Sequence, residues 1–126
     1  MPGPEDIVME ASLRSIASMI ERSKKAQEKF KPGSSQFTLQ ANRIQALEIA
    51  AFLIEGELTG SVANDVWTYE NMEKALAPLK SLISKSEKAQ AKLKEGSWQH
   101  RMLDENLKAL HTALPLLEGS IEEHCG

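Results

Sequence analysis

One stretch of this chain occurs twice, and the repetition constrains the fold more than any other feature of the sequence. Residues 23–36 read SKKAQEKFKPGSSQ, and residues 86–99, which lie 63 positions later, read SEKAQAKLKEGSWQ. When this offset is extended without gaps, 20 of the 48 residue pairs between 9–56 and 72–119 are identical. A repeat of this length indicates two copies of one supersecondary unit. It predicts an architecture but does not identify a function.

The chain has 126 residues, which is enough for a single domain with its own hydrophobic core. The repeat divides this domain into a first unit over about residues 4–58, a linker over 59–67 and a second unit over 68–122. Apolar residues recur every three or four positions in both units, which is typical of helices that bury one face. We therefore predict an all-α fold, an up-down-up-down four-helix bundle built from two tandem-repeated helical hairpins. The alternative arrangement opens the hairpins and packs them between the chains of a dimer.

Proline, glycine and serine mark the expected helix ends. Pro4 favours the first turn of the first helix, and Pro32-Gly33 is expected to end that helix. Ser34 or Ser35 would cap the second helix.

The linker and the second repeat contain weaker signals. Asn64 or Asp65 would cap the third helix, and Trp67 is expected to pack over an end of the bundle. Proline inside a helix removes a hydrogen bond, so Pro78 predicts a kink or a late start of the third helix and Pro115 a bend in the fourth.

Charge and cysteine content suggest a compartment and exclude some partners. A net charge of −3 and a pI near 5.6 make nucleic acid an unlikely partner, because nucleic-acid-binding domains are usually basic. A single cysteine cannot form an internal disulfide, and the first residues do not resemble a signal peptide, so we expect a cytoplasmic protein. The longest apolar run, residues 49–54, is too short to cross a membrane.

Lysines surround both hairpin turns, in the shared pattern Lys-x-Lys-x-Gly-Ser-x-Gln. In an up-down-up-down bundle the two turns lie at the same end, and these residues would bind an anion or an acidic partner. The alternative is that lysines near a helix C-terminus only balance the helix dipole and keep the turn soluble. The candidate binding residues are Lys25, Lys29, Lys31, Ser34, Lys88, Lys92, Lys94, Ser97 and Trp98.

Trp98 takes the place of Ser35 in the second turn. It would either contact a partner, as tryptophan often does at binding hot spots, or cover the end of the bundle.

Polar residues occupy several positions at which a simple bundle would have leucine. Such a polar seam either lines a small-ligand pocket or forms a layer that fixes the register of the helices. Buried amides need partners, and Gln27 is expected to pair with Gln40 or Gln90 across the bundle. The seam consists of Ser23, Gln27, Gln40, Ser86 and Gln90.

The sequence contains no recognisable catalytic or metal-binding motif. His100 and Asp104 share a helix face, but one such pair is a weak metal signal, and the paired Glu-x-x-His motifs of di-iron bundles are missing. Motifs for serine hydrolases, nucleotide-binding loops and zinc proteases are also missing. We therefore expect no enzyme activity, no metal and no cofactor.

The first repeat has a wider apolar stripe than the second. An apolar stripe wider than one seam suggests contact with another chain, so a homodimer through the first two helices is expected. We interpret the protein as a non-catalytic helical bundle that binds other protein chains, with an acidic partner at the lysine-rich turns. The alternative function is binding of an anion, phosphate or nucleic acid at the same turns. The residues that widen the stripe are Ala17, Met19, Leu39, Ile49 and Phe52.

Overall fold

The computed structural model describes residues 3–60 and 67–125, and within these ranges it contains four helices and no strand. The predicted all-α class is therefore confirmed. None of the described helices is both long enough and apolar enough to cross a membrane. The helices are α1 (Pro4–Gln27), α2 (Ser35–Thr59), α3 (Tyr69–Ala91) and α4 (Trp98–Cys125).

The helix starts follow local capping chemistry. Pro4 is in the first turn of α1, as predicted, and the preceding Gly3 donates its N–H to the Asp6 carboxylate at 3.2 Å. Ser34 caps α2 and accepts the N–H of Phe37 at 3.2 Å, which confirms the first of the two predicted positions. Thr68 caps α3. The predicted caps Asn64 and Asp65 lie outside the described residues.

The first helix ends earlier than the sequence suggested. We expected Pro32-Gly33 to end it, but α1 ends at Gln27, and the N–H of Phe30 bonds to the carbonyl three residues back. Proline is not the cause, because Glu95 stands at the equivalent position of the second repeat and α3 also ends early, at Ala91. The shared residues of the two turns therefore end these helices.

Both internal prolines lie within continuous helices. Helix α3 begins at Tyr69 and runs through Pro78, so the predicted late start is wrong. Helix α4 runs through Pro115 in the same way. Each proline lacks an N–H group, so the carbonyl four residues earlier loses its helical partner.

One hydrophobic core joins all four helices. Helices α2 and α4 approach each other and both outer helices closely, whereas no Cα atom of α1 lies within 8 Å of a Cα atom of α3. Leu47 and Ile54 of α2 and Leu110 and Leu117 of α4 are completely buried in this core. The two central helices are therefore α2 and α4, and the outer helices are α1 and α3.

The packing of the first hairpin corrects one expectation about the surface. Met19 and Ile49 were expected on an exposed stripe, but both are buried in the core. Helix α2 packs against three helices, and a helix with neighbours on three sides is apolar around most of its circumference. Of the predicted stripe, Ala17 and Leu39 are exposed and Phe52 is half-buried.

Candidate partner-binding site

The two hairpin turns have the same backbone hydrogen bonds. In the first turn, Phe30 N–H donates to the Gln27 carbonyl at 3.0 Å and Ser34 N–H to the Lys31 carbonyl at 3.0 Å. These bonds fix the path of the chain from α1 to α2. The second turn repeats both bonds: Leu93 to Gln90 at 3.0 Å and Ser97 to Lys94 at 3.1 Å.

Glycine and serine have structural roles in both turns. Gly33 and Gly96 have φ angles of 89° and 87°, which side-chain-bearing residues rarely adopt. Ser97 accepts the N–H of His100 at 3.2 Å, just as Ser34 does with Phe37. The two serines that were predicted as binding residues are therefore engaged in capping.

Two glutamines of the polar seam also belong to the turns. The Gln27 side-chain amide donates to the Phe37 carbonyl at 3.5 Å, and the Gln90 amide donates to the His100 carbonyl at 3.2 Å. The predicted pairing of Gln27 with Gln40 or Gln90 is wrong, because each amide bonds within its own hairpin. A backbone carbonyl near the start of the next helix is within reach of each side chain. These residues therefore tie consecutive helices together.

The remaining seam residues do not form one polar layer. Ser23 is buried and Ser86 is half-buried. The Oε1 atom of Gln40 is buried and has no hydrogen-bond partner among the described residues. Leu103 stands at the equivalent position of the second repeat, so the fold does not require a polar group there.

The lysines of the turns are exposed and unpaired. Within the described residues, none of their side chains forms an ion pair or a hydrogen bond; the ion pairs found there join Lys74 to Glu70 and Lys108 to Asp104. Their ammonium groups are therefore free to meet a partner. The six side chains are those of Lys25, Lys29, Lys31, Lys88, Lys92 and Lys94.

A contact between α1 and α4 links the surroundings of the two turns. The Arg22 guanidinium lies 3.1 Å from the Met102 sulfur, and both residues are within five positions of the helix end next to a turn. The end of α1 that leads into the first turn therefore lies beside the start of α4, which follows the second.

Trp98 does not cover the core. Its surface is 63% exposed at the first position of α4. The alternative in which it packs over the bundle end is therefore wrong, and a large apolar side chain stands in solvent beside the second lysine-rich turn.

Trp67 lies beside the first hairpin. It packs against the hydrophobic core and lines an open groove of about 720 Å³ with Gln27 of α1 and Ile44 and Gln45 of α2. The indole N–H is buried and has no partner among the described residues. Trp67 therefore lies on the flank of the first hairpin, which hydrophobic periodicity could not predict.

His100 and Asp104 take part in helix structure. The Asp104 carboxylate accepts from Lys108 at 3.2 Å and from the Gln90 amide at 3.5 Å. The hydrogen bonds from Lys108 and Gln90 lower the pKa of Asp104, and the charge of Lys108 adds to the effect. In the part of the chain that the structure describes, no three histidine, cysteine, aspartate or glutamate residues are placed to hold a metal ion.

One partly buried cation was not singled out from the sequence. Arg43 of α2 is half-buried, and this burial lowers the pKa of its guanidinium. Asn106 is its repeat equivalent and is buried in α4. The repeat alignment shows the substitution, but the periodic pattern gives no sign that these polar residues are covered.

Comparison with known proteins gives no relative: no family model matches the chain, and neither a curated protein nor a solved structure is detectably similar to it.

Proposed function

We propose that this protein is a non-catalytic binding module that takes an acidic protein partner at its two lysine-rich turns. The observation that carries the proposal is the set of six exposed lysines, none of which forms an ion pair within residues 3–60 and 67–125. Fewer lysines would be enough to stabilise the ends of α1 and α3. Four of the six also lie beyond the last helical residue, namely Lys29, Lys31, Lys92 and Lys94. The cytoplasm is the proposed location, because the chain has a single cysteine.

The proposed architecture is an up-down-up-down bundle derived from a tandem repeat. The matching hydrogen bonds of the two turns support a common origin of the hairpins. The contact between Arg22 and Met102 supports placing both turns at one end of the bundle. In this arrangement the lysines of the two hairpins form one basic surface, which we call the basic tip.

Trp98 adds a large apolar side chain to the basic tip. Tryptophan is enriched at binding hot spots because it buries a large area and loses little conformational freedom. With 63% of its surface exposed, it could bury further area against a partner. An acidic partner with an apolar residue next to its carboxylates fits this combination.

The test is binding of a fluorescent oligoglutamate peptide to the full chain. We expect binding at about 0.05 M salt that weakens at least about tenfold at about 0.5 M salt, because exposed charges are screened. Replacing both Lys29 and Lys92 with Glu should remove binding and leave the circular dichroism spectrum and the melting transition unchanged. A matched control replaces Lys74 and Lys80 with Glu, since both are exposed outside the turns.

Equal binding by the Lys29→Glu, Lys92→Glu variant and by the control would contradict the proposal. An oligothymidine that binds the tip more tightly than oligoglutamate would favour the alternative, nucleic-acid binding at the same residues. The net charge of −3 weighs against that alternative.

Self-association is a second candidate, supported by an apolar groove between α2 and α3. The groove has a volume of about 390 Å³ and is lined by Leu39, Ala46, Ala75, Ala77 and Pro78 among other residues. Leu39 is 45% exposed at its edge. Light scattering should give twice 13.9 kDa at low and high salt if this apolar surface joins two copies. A Leu39→Glu variant should then be monomeric, and a monomeric wild-type chain would exclude this candidate.

A further inference from the structure

Three of the residues that the two turns share are lysines. Between residues 23–36 and 86–99, 9 of 14 pairs are identical, compared with 11 of 34 pairs in the rest of the repeat. Several shared residues have structural roles, as shown above for glutamine, glycine and serine. Lys25 and Lys88 lie in the last turns of α1 and α3, where a cation is favourable. The other four lysines have no structural role that the structure shows, because their side chains pair with no acidic group or acceptor in the described residues.

The turns tolerate change at other positions. Phe30 is replaced by Leu93, Pro32 by Glu95 and Ser35 by Trp98, and the backbone hydrogen bonds are nevertheless the same. Lysine at three equivalent positions of each turn is therefore not a consequence of the turn geometry. A ligand that contacts both turns would account for lysine in both.

The geometry allows one ligand to reach both turns. Arg22 and Met102 connect the helix end before the first turn to the helix start after the second. Axes of packed helices lie about 8–10 Å apart, so the two lysine sets should be separated by a similar distance. An extended chain advances about 3.3 Å per residue, so about four residues are enough to span it.

We propose that the basic tip binds one extended acidic segment of a partner protein in a bivalent manner, with one acidic cluster at each turn. This inference rests on the proposed function and specifies its ligand. Linking two weak contacts makes the second intramolecular, which raises the overall affinity without any new type of contact. Each turn alone would then bind weakly, and both turns together would bind tightly.

The experiment compares two synthetic peptides of equal length. One has two triglutamate clusters separated by Gly-Ser-Gly-Ser, and the other has one triglutamate cluster and Gly/Ser filler; the spacer of about four residues matches the expected separation. Each is titrated into the wild-type chain and into three variants. The variants replace the lysines with glutamine in the first turn (25, 29 and 31), in the second turn (88, 92 and 94) or in both.

We expect the wild-type chain to prefer the two-cluster peptide by more than about tenfold. Either single-turn variant should lose this preference, and its affinity should fall nearly to that of the variant changed in both turns. The matched control, Lys74→Gln with Lys80→Gln and Lys108→Gln, removes the same charge from exposed positions outside the turns and should keep the preference.

Two outcomes would overturn the inference, and they differ in what they say about the proposed function. If each single-turn variant loses only about half of the binding and the preference is near twofold, the turns bind independently. The bivalent inference then fails while the acidic-partner proposal stands. If the wild-type chain binds neither peptide, both fail.

Discussion

The two repeats differ at single residues that affect the stability of the fold. Gln40 carries a buried oxygen without a partner in the described part of the chain, whereas the equivalent Leu103 carries no polar group. An unsatisfied buried acceptor costs about 1–3 kcal/mol, so the first repeat contains a defect that the second does not have. The sequence could identify Gln40 as a polar residue on an apolar seam. It could not show that its predicted partner, Gln27, is engaged with the Phe37 carbonyl.

Replacing Gln40 with leucine should therefore stabilise the protein. We expect a gain of about 1 kcal/mol in the free energy of unfolding, because the substitution removes an unpaired acceptor at a site where leucine fits the repeat. Urea unfolding measures the change. The reciprocal Leu103→Gln variant should be destabilised, and a loss of stability in Gln40→Leu would show that the oxygen has a partner in solution.

The lowered pKa of Asp104 predicts how the stability of the fold depends on pH. Its pKa is lowered by Lys108 and Gln90, so its carboxylate stabilises the folded state above the unfolded pKa. This contribution is lost as the pH falls through the lower, folded-state pKa. We expect Lys108→Met to raise the pKa of Asp104 in a carboxyl NMR titration. Glu70, whose pKa is lowered in the same way by Lys74, should not change in that variant, and an unchanged Asp104 would contradict the assignment.

At the scale of elements, the hairpin turns account for both the successes and the failures of sequence reasoning. The Ser34 cap and the helical class follow from local signals, and both were predicted. The end of α1 was not predicted, because Pro32 is the stronger signal in the sequence although α1 already ends at Gln27. The side-chain bonds of Gln27 and Gln90 act between neighbouring helices, and a periodic pattern contains no information about them.

Glycine substitutions should distinguish the turns from the helices. Gly33→Ala and Gly96→Ala should each cost about 1–2 kcal/mol, because both glycines have positive φ, which alanine rarely adopts. No steric clash adds to this cost, since the added methyl has no neighbouring atom within 4 Å in either turn. Gly119→Ala, within α4, also meets open space and should instead stabilise by up to about 1 kcal/mol. Thermal or urea unfolding of the three variants gives the comparison. Unequal costs at Gly33 and Gly96 would show that the turns differ in solution.

At the scale of the whole molecule, all four helices depend on one core. Buried residues from both repeats belong to the same cluster, among them Ile16 and Leu47 from the first and Leu79 and Leu110 from the second. Most helical stability in proteins comes from such packing and not from intrinsic propensity. The sequence predicted the helices that contribute to this core. It could not predict that α2 and α4 occupy the centre, because periodicity describes one helix at a time.

The separation between the backbones of α1 and α3 has a consequence for motion. Each outer helix packs closely against α2 and α4 but not against the other outer helix, so either can open locally while the other stays in place. Amide hydrogen exchange should therefore be faster in α1 and α3 than in the middle of α2, around Leu47 and Ile49. Exchange of the two outer helices should also respond independently to destabilising substitutions, for example Ile16→Val in α1 or Leu79→Ala in α3. If one substitution accelerates exchange equally in both, the molecule opens as a single unit.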